Sequence, residues 1–308
     1  NCFTHICMLR MLRSTGLVRG AVLLPYKVCK QNRPLNNFLK CRPIRCSMTP
    51  QKRSHKTIGT HDGAFHCDEA LACFMLRQLP EYADAEIVRT RDAAKLSDTD
   101  IVVDVGGVYD PDAKRFDHHQ REFDTVFGHG HTIKLSSAGL IYKHYGMEIV
   151  AKQIGLTVDD PVTMKIYLKV YKSFVEAIDG IDNGVDQWES TGPPKYTSST
   201  NLSARVGKLH PHWNEEDSPA IRDACFQKAM ALTGAEFLDC VHYYGKVWLP
   251  ARQYVVEAIN GRHTIHPSGE IFKLPRYCPW KDHVYDLEGE MKVDPPLKYC
   301  LYEVCPTT

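Results

Sequence analysis

The sequence predicts an α/β fold: a parallel-sheet core with helices between its strands, followed by a second, smaller α+β unit. From Lys56 onward, short apolar runs of strand length alternate with helical stretches. Two of those runs, "AEIVRT" and "DIVVDVGG", are β-branched, and the second is apolar enough to lie centrally in a parallel sheet. Near residue 190 the alternation gives way to "STGPPKYTSSTN", a polar connector containing Pro.

Taken in order, "TIGTH" is a first short strand, and "DEALACFMLRQL" is a helix with Asp68 at its start and Leu71, Phe74, Met75 and Leu79 on one face. The two β-branched strands follow, and three strands with intervening helices make a doubly wound sheet. "SSAGLIYKHYGMEIVAKQIG" is a helix with a Ser cap, and "PVTMKIYLKVYKSFVEAIDGIDNG" a longer one with Pro161 in its first turn. In that helix Ile166, Val170, Phe174 and Ile178 step by four, a buried stripe. Beyond the connector the chain is mostly helical from about Pro219 to Gly261, and "HTIHPSGEIFKL" has the look of a hairpin around the turn "PSGE". The expected organisation is a leader over 1–55, a metal-binding α/β domain over 56–190 and an α+β domain over 191–308.

The 308 residues, 43% hydrophobic, suit an ordinary globular protein, and no run of about 18 uncharged apolar residues offers a membrane-spanning helix. The net charge of +1 hides an asymmetry. The first acidic residue is Asp62, and residues 1–61 hold twelve Lys or Arg, so the remainder has 26 basic against 37 acidic residues, a net −11. An acid-free stretch such as "MLRMLRSTGLVRGAVLLPYKVCK" fits a mitochondrial presequence, with a disordered basic tail as the alternative. A product starting at Met48 would lack it and carry Lys52, Arg53 and Lys56, a weak nuclear-import cluster. The expected locations are therefore the mitochondrial matrix and the nucleus. Seven of the twelve Cys lie beyond the leader and form no C-x-x-C pair, which favours reduced thiols over a disulfide framework or zinc ribbon.

Acids and imidazoles cluster at four junctions. His61, His66 and Asp68 sit in the first strand-to-helix loop, where open α/β sheets bind ligands. Asp104 ends a strongly apolar strand before two glycines, an expensive place for a charge unless it binds a cation. Asp117, His118 and His119 form a third cluster. In the fourth, Asp182 continues the Ile166–Ile178 stripe toward the core while Asp179 is turned about 100° away, so Asp182 is the expected site carboxylate. Singly, each residue has a bland alternative as a loop, cap or strand-end polar group. Together they are the ligand inventory of a two-metal centre, in which one Asp bridges ions about 3.5–4 Å apart. Mixed imidazole and carboxylate donors suit Mn²⁺, Zn²⁺ or Fe²⁺ better than Mg²⁺ alone.

These clusters, in this order, resemble the DHH phosphoesterase superfamily, whose triplet appears here as Asp117-His118-His119. More closely, "GTHDGAFHCDEALACFMLR", "AEIVRTRD", "DIVVDVGG", "DHHQR", "LSSAGLIY", "DNG", "NLSARV" and "CPWKDH" resemble the melanocyte-proliferating-gene exonuclease family over about residues 56–290. The resemblance implies a DHH-phosphoesterase-like sheet core and a metal-dependent 3′-to-5′ exoribonuclease that processes RNA precursors in mitochondria and nucleus. It makes His61, His66, Asp68, Asp104, His118 and Asp182 metal ligands, with Asp104 bridging. His119 faces the phosphate, and Asp117 orients its neighbours from behind. It implies two divalent ions, Mn²⁺ first and Mg²⁺ as the alternative, and an RNA or short-oligonucleotide substrate contacted by Arg205.

Two departures accompany the resemblance. The first motif is spaced more widely than in the superfamily, with His66 where an Asp is common. Thr308 also precedes the Gly-rich segment that helps family members hold substrate, so the C-terminal domain is expected to be incomplete. Lys208, His210, His212, Arg89 and Arg91 are further basic candidates. The acidic body leaves open a phosphohydrolase of small nucleotides or pyrophosphate, and the expected C-terminal gap leaves open a non-catalytic metal-binding regulator. Oligomeric state is open.

Overall fold

The computed structural model describes residues 5–10, 55–188, 192 and 196–304. Most of the leader, with the presequence and Met48, and part of the 190–201 connector lie outside the described residues.

Five strands form the principal sheet: β2 (Thr57–Thr60), β3 (Glu86–Arg89), β4 (Ile101–Val103), β5 (Tyr109–Asp110) and β6 (Arg115–Phe116), in the order β3-β2-β4-β6-β5. All neighbours are parallel except the edge strand β5, which is antiparallel to β6. Helix α1 (Cys67–Arg77) connects β2 to β3, and α2 (Ala93–Ser97) carries the chain from β3 back past β2 to β4. That reversal puts the two helices on opposite faces of the sheet. Ile101 and Val103 of β4 join α1 in the main core, while Val102 between them packs with Leu96 of α2. Gly59 of β2 permits the α2 side to close in, since a Cβ there would meet Thr99 Oγ1 at 2.8 Å. The strand order reverses between β2 and β4, and their carboxyl ends open into one crevice.

The main core lies on the α1 face. Nearly every α1 side chain is buried, because α3 (Ser137–Ile154) and α7 (Pro219–His242) both pack on it; of the expected stripe Leu71 and Met75 are fully buried, Phe74 is half-buried, and Leu79 is buried just beyond the helix. A hairpin of β7 (Val126–Gly128) and β8 (His131–Lys134) precedes α3. Helix α3 starts at the Ser136 cap and ends at Gly155 in the left-handed conformation.

The long helix differs from expectation. It runs as α4 (Pro161–Val170), a π-helical turn (Tyr171–Val175) and α5 (Glu176–Asp182). Ile166, Val170 and Tyr171 are buried, but Phe174, the next residue of the expected stripe, is only half-buried; Val175 takes its place in the core, and Ile178 follows. A π turn holds more than four residues per turn, so the stepping by four slips there.

Packing also places the change of core later than residue 190. α6 (Leu202–Gly207) and α7 contribute Val206, Phe226, Met230 and Phe237 to the main core. A second core begins only at Ala251, beyond a second π turn (Tyr243–Trp248), in α8 (Leu249–Asn260). With α9 (Arg262–Ile265), α10 (Lys281–Glu290), β9 (Ile271–Lys273) and β10 (Tyr299–Val304), it makes the expected α+β unit. The 263–274 hairpin is not formed. Residues 262–265 are helical, and β9 pairs in parallel with β10 across a long stretch of chain. Residues 5–10, expected to belong to an unstructured leader, form β1, antiparallel to β10. Among the described residues no helix is long and apolar enough to cross a membrane.

Candidate metal centre

His61 follows β2 directly and is almost fully buried. Its Nδ1 lies 3.0 Å from the Asp62 carbonyl oxygen, and its Nε2 lies 3.0 Å from Glu69 Oε1 and 3.3 Å from Asp104 Oδ2. His66 is the exposed N-cap of α1, and its backbone N–H donates to the Glu69 carboxylate at 2.8 Å. Glu69, fully buried, thus caps the helix and steadies His61 together.

Asp68 is 1% exposed, and its Oδ2 accepts from Ser137 Oγ at 2.7 Å. The neighbouring Ser136 binds the other buried aspartate: its N–H and hydroxyl donate to Asp179 Oδ1 at 2.9 and 2.7 Å, and Tyr171 donates to Asp179 Oδ2 at 2.9 Å. Two serines at the start of α3 therefore hold one aspartate each.

Asp104 follows β4 with φ +58, a left-handed conformation that Asp tolerates better than most residues and that turns its carboxylate into the crevice. Gly106 and Gly107 continue the turn at φ +100 and +67. Asp117, at the end of β6, accepts from Gly107 N–H at 2.6 Å, while its Oδ1 lies 2.7 Å from His119 Nδ1. His118 Nε2 lies 3.2 Å from Asp104 Oδ1, 3.3 Å from Asp182 Oδ2 and 4.0 Å from Asp68 Oδ2.

All eight sequence-derived candidates other than Arg205 thus gather at the crevice. Seven of them, all but Asp117, fall together with Glu69 into three overlapping groups that could hold a metal ion: His61, His66, Glu69 and Asp104; Asp104, His118 and His119; and His66, Asp68 and Asp182. Asp104 is shared by two of them. Asp68 Oδ1, Asp104 Oδ1 and His118 Nδ1 are buried with no aligned hydrogen-bond partner. Buried acceptors left bare are costly, and the two carboxylate oxygens fit cation ligands. The donor set suits a divalent ion.

The electrostatics agree. Burial opposes charge on His61, but hydrogen bonds to Asp104 and Glu69 outweigh it and push its pKa up to about 10. His118 is likewise raised against burial by Asp104, Asp68 and Asp182. Burial raises Glu69, and Asp68 and Asp104 add to it; burial and the Asp68 charge raise Asp182. Burial works against the Asp104 anion, yet His118 and His61 hold its pKa below the usual range. A crowd of carboxylates in little water demands positive charge, which protonated imidazoles supply when no other cation does.

The outcome at the end of α5 has a different geometry from the one expected. Asp182 does face the cluster, but from the half-open cavity side, and Asp179 is the fully buried aspartate. The π turn rotates both relative to an ideal helix. Arg205 is not brought to the cluster: Nη1 and Nη2 grip Glu236, at 2.5 and 2.8 Å, and Nε donates to Thr200 O. Arg89 is spent on Asp223 and the Gly63 carbonyl, Arg91 lies 3.5 Å from Asp62, and Lys208 reaches Ser199 O. His210 packs its ring, tilted by 30°, against Phe65, whose carbonyl its Nε2 meets at 2.9 Å.

Glu69 and Ser137 were missed. Glu69 stands three residues after the N-cap, the capping-box spacing, but a His at the cap conceals the motif. Ser137 looks like a mere helix start in "LSSAGLIY".

A parallel sheet with His and carboxylate groups around a shared aspartate at its switch point defines an α/β core of phosphoesterase type, with a cluster able to hold metal ions. The family model described as "Uncharacterised protein family (UPF0160)", MYG1_exonuc, matches residues 57–307. The "MYG1 exonuclease" of Homo sapiens is 48% identical over 268 residues, covering 83% of this chain and 70% of the human protein. The "MYG1 protein" of Dictyostelium discoideum is 48% identical over 250 residues, 81% of this chain and 75% of that protein. A MYG1 protein of Saccharomyces cerevisiae is 42% identical over 252 residues, 80% and 74%. No solved structure matches significantly. The chain belongs to the MYG1 exonuclease family.

Proposed function

We propose that this chain is a metal-dependent phosphodiesterase that removes nucleotides from RNA in the 3′-to-5′ direction. The observation that carries the reading is the convergence of His61, His66, Asp68, Asp104, His118 and Asp182 on one crevice, around an aspartate common to two candidate metal groups. Relatives named exonucleases support a nucleic-acid substrate. His61, His66, Asp68, Asp104, His118 and Asp182 would hold the divalent ions, Mn²⁺ in this proposal, which would supply Lewis acidity toward phosphoryl oxygens and a more acidic water.

The chain's own residues do the rest. Asp117 holds the His119 ring through Nδ1, which leaves Nε2 without a partner among the described residues, and the side chain, 62% exposed, lines the cavity. With a proton on each ring nitrogen, Nδ1–H donates to Asp117 and Nε2–H donates to a phosphoryl oxygen or protonates the leaving oxygen, after which Nε2 is left as an acceptor. Asp117, buried and also tied to Gly107, holds the ring through Nδ1–H and stabilises the imidazolium from behind. The walls of the cavity, about 640 Å³, have room for a nucleotide.

Asp104→Ala, or the double change His118→Ala with His119→Ala, lowers nucleotide release in Mn²⁺ by about 10³-fold, the order expected when groups stabilising transition-state charge are removed. Oligoribonucleotides labelled at either end read both rate and direction. Wild-type rates in folded variants sink the proposal. The net −11 body favours a second reading, hydrolysis of dinucleotides or nucleoside phosphates; a faster rate on a dinucleotide than on an octanucleotide selects it. Residence in the mitochondrial matrix and nucleus is part of the proposal, supported by the acid-free cationic stretch before Asp62 and checked by import of a fusion of residues 8–55 to a fluorescent protein.

A further inference from the structure

The cavity above the cluster carries two cations with no carboxylate partner among the described residues. Arg121 and Lys134 line it together with Asp104, His118, His119 and Asp182. Among the described residues, neither the Arg121 guanidinium nor the Lys134 ammonium has an ion pair or hydrogen bond; the ammonium lies 5.8 Å from the centroid of the Phe123 ring. Arg205, Arg89, Arg91 and Lys208 are already engaged elsewhere. A phosphate arriving at the crevice meets Arg121 and Lys134 without first breaking a salt bridge.

Local structure fixes both close to the chemistry. Arg121 comes two residues after His119 in the same loop. Lys134 closes β8, and its carbonyl accepts from Asn183 Nδ2 at 2.8 Å, which ties it to the residue after Asp182. Arg121 thus belongs to the loop that carries His119, and Lys134 to the strand tied to the end of α5.

We infer that Arg121 and Lys134 are the phosphate-binding residues of this chain, holding the non-bridging oxygens of two successive phosphates of a single-stranded nucleic acid. The inference rests on the proposed phosphodiesterase reading and assigns the contact that Arg205 was expected to make. A guanidinium offers a planar fork of donors and an ammonium a compact point charge, so the pair suits two differently oriented phosphates. In an otherwise acidic body, affinity for nucleic acid depends on such local contacts. Each neutralised phosphate of a single strand contributes about −0.7 to the slope of log affinity against log salt, so two contribute about −1.4.

The test is fluorescence anisotropy of a fluorescein-labelled, phosphorothioate-linked octa-adenylate with the full chain in Mn²⁺, from 50 to 300 mM salt. Arg121→Ala and Lys134→Ala should each weaken binding about 10-fold and flatten the salt slope by about 0.7. Lys228→Ala, an exposed charge on α7, should change neither. Thermal unfolding in parallel establishes that the variants are folded. Wild-type binding that both cavity variants lose, even with no turnover of the unmodified octamer, supports this inference while removing the proposed activity. Equal affinity and slope in wild type and both variants, or no wild-type binding at 1 mM protein, overturns it.

Discussion

At the scale of residues, the cluster balances its own charge with protons. His61 and His118 are both raised above the ordinary imidazole range by surrounding carboxylates, so in the metal-free protein they carry protons at neutral pH. An imidazole must give up its proton to become a ligand, and metal binding therefore releases protons. Mn²⁺ affinity is expected to fall by about 10-fold per pH unit from pH 8 to 6, consistent with loss of one proton per ion. Calorimetry at pH 8 in two buffers of different ionisation enthalpy counts the protons; a pH-independent affinity contradicts the assignment. Much of this site was legible in the sequence because its ligands are chemically conspicuous: a buried Asp ending the apolar strand "DIVVDVGG" has few uses. Glu69, Ser137, Arg121 and Lys134 were not singled out, since capping, hydroxyl support and an unpaired surface charge acquire meaning only when distant loops meet.

At the scale of elements, the junction of α3 with α5 is the tightest support. Gly139 leaves room for the Asp179 carboxylate, and a Cβ at that position would meet Asp179 Oδ1 at 2.4 Å. Gly139→Ala and Asp179→Ala are each expected to destabilise the fold by about 2–4 kcal/mol, the first through overpacking and the second by stranding the Ser136 and Tyr171 donors. Chemical denaturation reads both. Burial pushes the Asp179 pKa up to about 7 despite its three donors. The native state then holds a proton the unfolded state has lost, so relative to Asp179→Asn the wild type loses stability as pH rises from about 4 to 7. An unchanged difference across that window contradicts the shift. The sequence supports the existence and order of these helices through caps and periodicity, but not their phase. Stepping by four from Ile166 lands on Phe174, whereas the π turn puts Val175 in the core, and only packing against neighbours decides that a helix widens.

At the scale of the whole molecule, the charge of the body sets the substrate it tolerates. With 26 basic against 37 acidic residues beyond position 61, a long RNA, as the proposed substrate, would gain little outside the crevice. The specificity constant on oligoribonucleotides should rise up to about three or four nucleotides and then level off; a steady increase to twenty nucleotides points to an extended basic track instead. The alternation of strands and helices made the α/β class readable, whereas the division between cores was not. The connector near residue 190 looks like a boundary in composition, yet the segment after it returns to complete the first core through Phe226 and Phe237.

The helical path from Pro219 to Asn260 is seated in both cores, and Lys165 and Lys169 of α4 reach Asp286 and Asp282 of α10 alongside it. Load applied to either half is borne by the same rod, so heat or pulling force should undo the described body in one event. A single calorimetric transition, with amide protection lost together on α1 and α8, is the signature of that shared backbone.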